Sequence, residues 1–395
     1  MAARGISTVI EALGLADEAL DRAELAIRLT RPDGARVTAS DAVRVARAHL
    51  RDARDRNNEL GVDMERRTLL RLTALLPALP LGSLDIAVSP APTDDAMLNA
   101  LTDVTRAYAT AYHDERAAAL TPAVTAHLDR LARRLDGGLS PSRRARLTRL
   151  TSETAALAGW LAFDADRPGA ARAHFTLAEQ TAVEAGDEAL RAAALTSQAA
   201  LYSPIPRGLR GGDHRTALRL HERASLAAAP GRLRAWLAAR HAEEAALGGD
   251  WRATADALVR AEHGLIESDD DGGLVFFSPD AYLWTFTPQR LADYRGFSET
   301  LLGDTVTAVT TLTPVLGATA PGTRERMYAA SNLARAYAGT GDIDAAAMQM
   351  LGALDAATTM DSAIGVQRVR GVRAAIRADA TALVEVDERL TELAA

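Results

Sequence analysis

The 395-residue chain contains no cysteine and no lysine, so all 45 of its cationic side chains outside histidine are arginine. The missing thiol excludes disulfides, thiolate zinc sites, iron–sulfur clusters and cysteine nucleophiles. The missing ammonium excludes Schiff-base and pyridoxal chemistry and the lysine of a phosphate-binding loop. Aromatic residues make up only 4% of the chain, and its eight histidines stand singly. Neither a two-histidine helical zinc motif nor a Gly-x-Ser-x-Gly elbow occurs, and nucleophile, base and stabiliser never converge. The expectation is a non-enzymatic protein with no metal and no cofactor.

Long apolar runs are also scarce. The best, Thr68 to Val88, follows Arg66-Arg67 but is interrupted by Arg71, Pro77 and Pro80, so it reads as a helix and linker rather than a membrane span or export signal. Met1 to Leu20 carries acidic residues through its apolar stretch, unlike a secretory leader. A cytoplasmic protein without membrane partners is expected. A net charge of −7 and a pI near 5.7 argue against a molecule that coats polyanions, though a local basic face remains compatible with nucleic acid.

What the chain has is helical text. Hydrophobic residues make up 48% of it, enough for a sizeable core. Residues 1–62 read as a small N-terminal helical module, broken at Pro32-Asp33-Gly34, and residues 63–93 as a helix and proline-rich linker. From 94 to 395 helices alternate with short breaks, the best strand signal being Leu274 to Phe277. The fold class is all-α.

Within 94–395 one phrase recurs: a glycine or aspartate break, then a small residue opening an amphipathic helix, with a larger residue one turn later. It appears as Ala171, Phe175 and Ala178; as Ala217, His221 and Ala224; and as Thr254, Leu258 and Ala261. Ala308, Leu312 and Val315, then Ala346, Met350 and Ala353, complete five copies, spaced 46, 37, 54 and 38 residues apart. Glycine permits the interhelical turn, and the small residue lets the second helix lie close to the first.

These copies, best in Leu333 to Ala353, resemble the tetratricopeptide repeat family. The resemblance implies a right-handed α-solenoid of degenerate helical hairpins. In addition, Met64-Glu65-Arg66-Arg67-Thr68-Leu69-Leu70-Arg71-Leu72, and Leu157 to Asp164 before the first copy, resemble the C-terminal half of actinomycete regulators. Those proteins join a Cro/CI-type helix-turn-helix to a tetratricopeptide sensor array, and their usual N-terminal sequence is not found in residues 1–62. The resemblance implies a transcriptional regulator whose array binds a peptide, protein or small molecule. The alternative is an interaction scaffold or adaptor without DNA binding.

Individual residues refine these expectations. On the helix expected from Ser40 to about Asn57, Arg44, Arg47, Arg51 and Arg54 share one face, as a DNA-reading helix would present them, although a solvated or homodimer-forming helix explains the same pattern. Glu267 to Gly272 partly matches a calcium loop, but position twelve is Ser278 where a glutamate is needed, so an exposed acidic loop is expected. Glu243 and Glu244, neighbours that cannot share a helix face, read as surface charge. Trp160, Phe163, Trp236, Trp251, Trp284 and Phe286 are candidate stacking residues that large-area burial would mostly place in the core. Aligning the copies puts Trp160, Trp236, Arg240, Glu243, Arg290 and Tyr294 on the concave wall of the array. Phe297, Tyr328, Ser331, Asn332 and Arg335 fall there too, and this groove is where a peptide or protein ligand is expected.

Overall fold

The computed structural model describes residues 94–393, apart from 114, 136–137, 228, 230, 269–285 and 378–380. The N-terminal module, the 63–93 linker and Arg44, Arg47, Arg51 and Arg54 therefore lie outside the described residues. So do the strand candidate and all of the acidic loop beyond Ser268.

Fourteen α-helices and two 3-10 turns, with no strand, make up the regular structure of the described residues. The first four helices are α1 Asp94–Ala111, α2 Ala117–Leu135, α3 Pro141–Asp164 and α4 Pro168–Glu184. α5 Glu188–Tyr202 leads through the 3-10 turn Ile205–Arg207 to α6 His214–Ser225, α7 Gly231–Leu247 and α8 Trp251–Ser268. α9 Pro288–Leu301, α10 Thr305–Ala318, α11 Arg324–Thr340, α12 Ile343–Met360, α13 Ala363–Ala375 and α14 Val384–Glu392 complete the order.

The repeated phrase is a physical device for turning the chain. Gly212, Gly249, Gly303 and Gly341 have φ between +65° and +90°, at +89°, +75°, +88° and +86°, where a side chain would be strained. The aspartate that follows caps the next helix. The carboxylates of Asp213, Asp250, Asp304 and Asp342 accept the backbone N–H of Thr216 (3.1 Å), Ala253 (2.9 Å), Thr307 (3.3 Å) and Ala345 (3.0 Å). The first copy uses other means: Asp166 itself adopts φ +52°, and Pro168 opens α4 after Arg167, which makes no side-chain cap.

All fifteen residues of the five small–large–small sets are buried, none more than 6% exposed. Close approach is visible where α3 meets α4, since a Cβ on Gly159 would stand 2.4 Å from the Phe175 ring. Only glycine fits there.

The chain divides into two compact units. The smaller takes the described residues up to Tyr108 together with Ala118–Leu147, and its core includes Leu98, Leu101, Leu120, Val124, Leu128 and Leu131. Buried within it, Thr105 Oγ1 and His127 Nε2 lie 2.9 Å apart, and Tyr108 packs edge-on against the same imidazole.

The larger unit takes Ala109–Ala117 and Thr148–Ala395. Sequential helices pack as neighbours from α4 to α13, α14 packing on α12, and a second order of contact links alternate helices: α5 to α7, α7 to α9, α9 to α11 and α11 to α13. This inner row returns on itself. α13 packs on the 3-10 turn after α5, and its Ile364 shares a core with Phe163 of α3, Phe175 of α4 and Ala200 of α5. Polar ties reinforce the closure, including Gln367 Nε2 to Asp166 (2.7 Å) and Arg335 Nη2 to the Gly208 carbonyl (3.1 Å).

Candidate functional site

The inner faces of the larger unit line a partly open cavity of about 120 Å³. Eight of the eleven residues expected on the concave wall line it. Trp160 comes from α3, Trp236, Arg240 and Glu243 from α7, Arg290 and Tyr294 from α9, and Tyr328 and Asn332 from α11. The other three stand behind this wall and hold it. Phe297 is 2% exposed beneath the Arg368 guanidinium, Ser331 accepts Arg368 Nε at 3.0 Å, and Arg335 binds the Gly208 carbonyl. These three, expected on the concave wall, do not line the cavity: Arg368 of α13 lies against Phe297 and Ser331, and Arg335 turns to the Gly208 carbonyl.

The wall is charged on both signs and still buried. Arg240 pairs with Glu243 one turn along α7, and Arg290 Nη1 reaches Asp293 at 3.3 Å one turn along α9. The second oxygen of Asp293 accepts Asn332 Nδ2 at 3.0 Å. Asn332 in turn accepts Arg368 Nη2, whose Nη1 reaches the Ile205 carbonyl at 3.3 Å. These bonds join α9, α11 and α13, α7 being tied in by Arg240 over the Tyr294 ring, and Arg240, Glu243, Asp293, Asn332 and Arg368 are each no more than 8% exposed. Aromatic rings fill the gaps between charges. Arg240 and Arg290 both lie over Tyr294, at 6.0 and 5.7 Å, and Arg368 lies over Tyr328 at 5.0 Å.

Burial sets the proton affinities. It pushes the Glu243 carboxyl up to about 7, with Arg240 and Arg368 opposing and Asp293 and Glu244 reinforcing. It also raises the Tyr294 and Tyr328 phenols, and lowers Arg368. Burial lowers Arg290 in the same way, but Tyr294 and Asp293 outweigh it and hold the guanidinium above its ordinary value. His113, at the edge of the cavity, is lowered to about 4 by burial and by Arg290 and Arg324.

Several lining residues were not expected from sequence: Tyr112, His113, Asp293, Glu325, Arg324 and Arg368. Spacing carried a signal for two of them. Arg324 precedes Tyr328 by four and Asn332 by eight, and Asp293 follows Arg290 by three, so each shares a face with residues already chosen. Arg324 is the most deeply placed cation, 2% exposed. Its Nε donates to Asp164 at 2.7 Å, its Nη1 to the carbonyls of Tyr112 and Glu115, and its plane covers the Tyr112 ring at 4.1 Å. Its Nη2 is buried without a hydrogen-bond partner.

Two expectations on charge and aromatic placement are corrected. Glu243 and Glu244 are not surface charges but 5% and 0% exposed. They do occupy different faces of α7, but that helix is covered on both: Glu243 meets Arg240 at the cavity, and Glu244 lies 2.9 Å from His214 Nδ1 on α6. Trp251, expected mostly as core, is 71% exposed at the start of α8, while Phe163 is core and Trp160, Trp236 and Phe286 line the cavity. Trp284 lies outside the described residues.

Among the described residues no group of three or more histidine, aspartate or glutamate side chains is arranged to hold a metal ion, and no helix is long and apolar enough to cross a membrane. Compared with models of known protein families and with curated proteins, the chain matches none.

Proposed function

We propose that this chain is a ligand-sensing regulator: a tetratricopeptide-like helical array that holds a small molecule at its inner wall and passes the bound state to the N-terminal segment. The observation that carries this reading is the cavity itself. A shell of paired arginines and carboxylates interleaved with aromatic rings costs desolvation energy that an apolar core of equal volume would not. Such a cost is retained where the polar groups recognise something.

The alternate-helix contacts from α5 to α13 and the five buried small–large–small sets support the tetratricopeptide-like solenoid reading. The small volume favours a compact molecule over a peptide strand, since a cavity of about 150 Å³ takes up a single benzene ring. Because the network links four inner helices, a ligand that prefers one arrangement of them shifts the array as a unit. Control of transcription through Arg44, Arg47, Arg51 and Arg54 belongs to the same proposal.

The test is chromatin immunoprecipitation of the tagged full chain beside Arg47→Ala/Arg51→Ala and Tyr294→Ala variants, with native mass spectrometry of protein purified from its own cell. Discrete peaks lost in the arginine variant and altered by Tyr294→Ala, together with a co-purifying small molecule, are the expected result. Absence of peaks in every strain overturns the regulator. One observation favours the adaptor reading in that event: Trp251, Val259 and Ile266 lie on one face of α8 and are 71%, 48% and 69% exposed, an apolar strip suited to a protein partner.

A further inference from the structure

Resting on the small-molecule reading, we infer that the cavity selects a planar carboxylate, an aromatic or conjugated monoacid of about one ring, with its acid group placed among Arg290, Arg324, Tyr294 and Tyr328.

The inference comes from which hydrogen-bonding capacity is already used. Four arginines and three carboxylates line the cavity. Of the carboxylates, Asp293 is bonded through both oxygens and Glu243 is paired with Arg240. Glu325, the more exposed third, sits at the start of α11. The open capacity is on the donor side. Arg324 Nη2 is buried without a hydrogen-bond partner, and the phenols of Tyr294 and Tyr328 belong to the same lining. Arg290 spends one of its nitrogens on Asp293. A ligand entering here meets donors in excess and must bring acceptors.

Shape narrows the class further. Guanidinium groups recognise carboxylates and phosphates alike through planar paired bonds. Here the remaining wall is aromatic, with Trp160, Trp236 and Phe286 beside the two tyrosines. Flat rings of that kind stack on a planar body and offer nothing to a free tetrahedral anion. Phosphate alone would satisfy the donors and leave the aromatic wall unoccupied, whereas a ring carrying a carboxylate satisfies both. Glu243 bears on the same site as a competitor, because its carboxylate already occupies Arg240.

The experiment uses the full chain and four probes of fixed size: benzoate, benzamide, benzylamine and inorganic phosphate, followed by calorimetry and thermal shift at pH 7.5. Benzoate is expected to bind at least about tenfold tighter than benzamide, the ratio worth one charge-assisted hydrogen bond. The Tyr294→Phe/Tyr328→Phe variant removes only hydroxyls and should melt like the parent, yet weaken benzoate by about tenfold. Arg290→Gln should weaken it by a similar or larger factor, while Glu243→Gln, which frees Arg240, should tighten it. Binding of benzamide or benzylamine as tight as benzoate overturns the carboxylate class, as does phosphate binding at least as tightly. No binding of benzoate, or binding unchanged in the tyrosine variant, overturns it as well. In those cases a different compound found by native mass spectrometry and lost in Tyr294→Ala keeps the small-molecule reading standing without the carboxylate. Absence of any compound removes both.

Discussion

On α4, α6, α8, α10 and α12 the deepest positions are mainly apolar, His221 and Thr254 being exceptions, whereas on α7, α9, α11 and α13 arginine, glutamate, aspartate and asparagine are buried to 8% exposure or less. Both sets are drawn from the same alanine-rich text. The first set keeps one wet face, so its apolar stripe is forced to one side and carries the fold. The second is covered on two faces, by its hairpin partners and by the inner row closing on itself. Its polar residues are removed from water because each finds a partner, within one helix for Arg240–Glu243 and Arg290–Asp293 and across helices for Asp293–Asn332, Asn332–Arg368 and Arg324–Asp164. One set is held by area and shape, the other by a network that fails as a whole when one member is lost.

The largest loss of stability is expected of Arg324→Ala. It leaves the Asp164 carboxylate, 0% exposed, without its cation, and unties the Tyr112 and Glu115 carbonyls. A loss of about 3–5 kcal/mol is expected from denaturant titration. If the loss is below about 1 kcal/mol, typical of an exposed pair, the inner charges are not structural. On the other side of the comparison, Met350→Ala empties a fully buried wedge on α12 and should cost about 2–5 kcal/mol. Methionine at that position should be replaceable by leucine at much smaller cost, whereas Arg324→Lys should not rescue, because the planar fork is lost.

Titration sharpens the contrast next. His113 and His127 are lowered to about 4, and His221 well below its ordinary value, in each case first by burial. The unfolded chain therefore binds more protons than the folded one below about pH 6.5, and stability falls as pH drops from there towards 4. Glu243 has the opposite sign. Its raised pKa gives a contribution present below about 4.5 and lost as pH rises through about 7. Denaturant titrations at pH 5, 6.5 and 8 should show wild type losing ground to Glu243→Gln between pH 5 and 8, while His221→Leu flattens the acid side. Parallel curves for wild type and Glu243→Gln would mean that the buried carboxyl does not titrate in this range. The smallest effect concerns the outer turns: Asp342→Ala removes a cap on α12 and should cost about 1 kcal/mol, with the binding of any cavity ligand unchanged.

Much of the outer architecture was legible in the chain. The Gly-Asp pairs announce a left-handed turn and a cap, and the small–large–small sets announce which face is buried, because both effects act within a few residues of sequence. Eight cavity residues were also legible once the copies were aligned, since one helix face points one way whatever surrounds it. Arg368 carried no such signal, and the contacts of Arg324, although it shares a face with Tyr328 and Asn332, likewise depend on partners far along the chain: Ile205 for the one, Asp164 and Tyr112 for the other. For the same reason Glu244 looked like surface charge until α6 supplied His214.

By itself the sequence determined the helical class, the position and chemistry of the turns, and the exclusion of thiol and amine chemistry, all of which follow from local backbone preference and residue inventory. The tertiary structure decided that the inner row closes, that charges on α7, α9, α11 and α13 neutralise one another out of water, and that a cavity remains between them. Those outcomes rest on long-range packing and electrostatics: Arg240–Glu243 and Arg290–Asp293 pair within one helix, but whether those faces are covered, and which groups Arg324 and Arg368 meet, is decided by segments far along the chain.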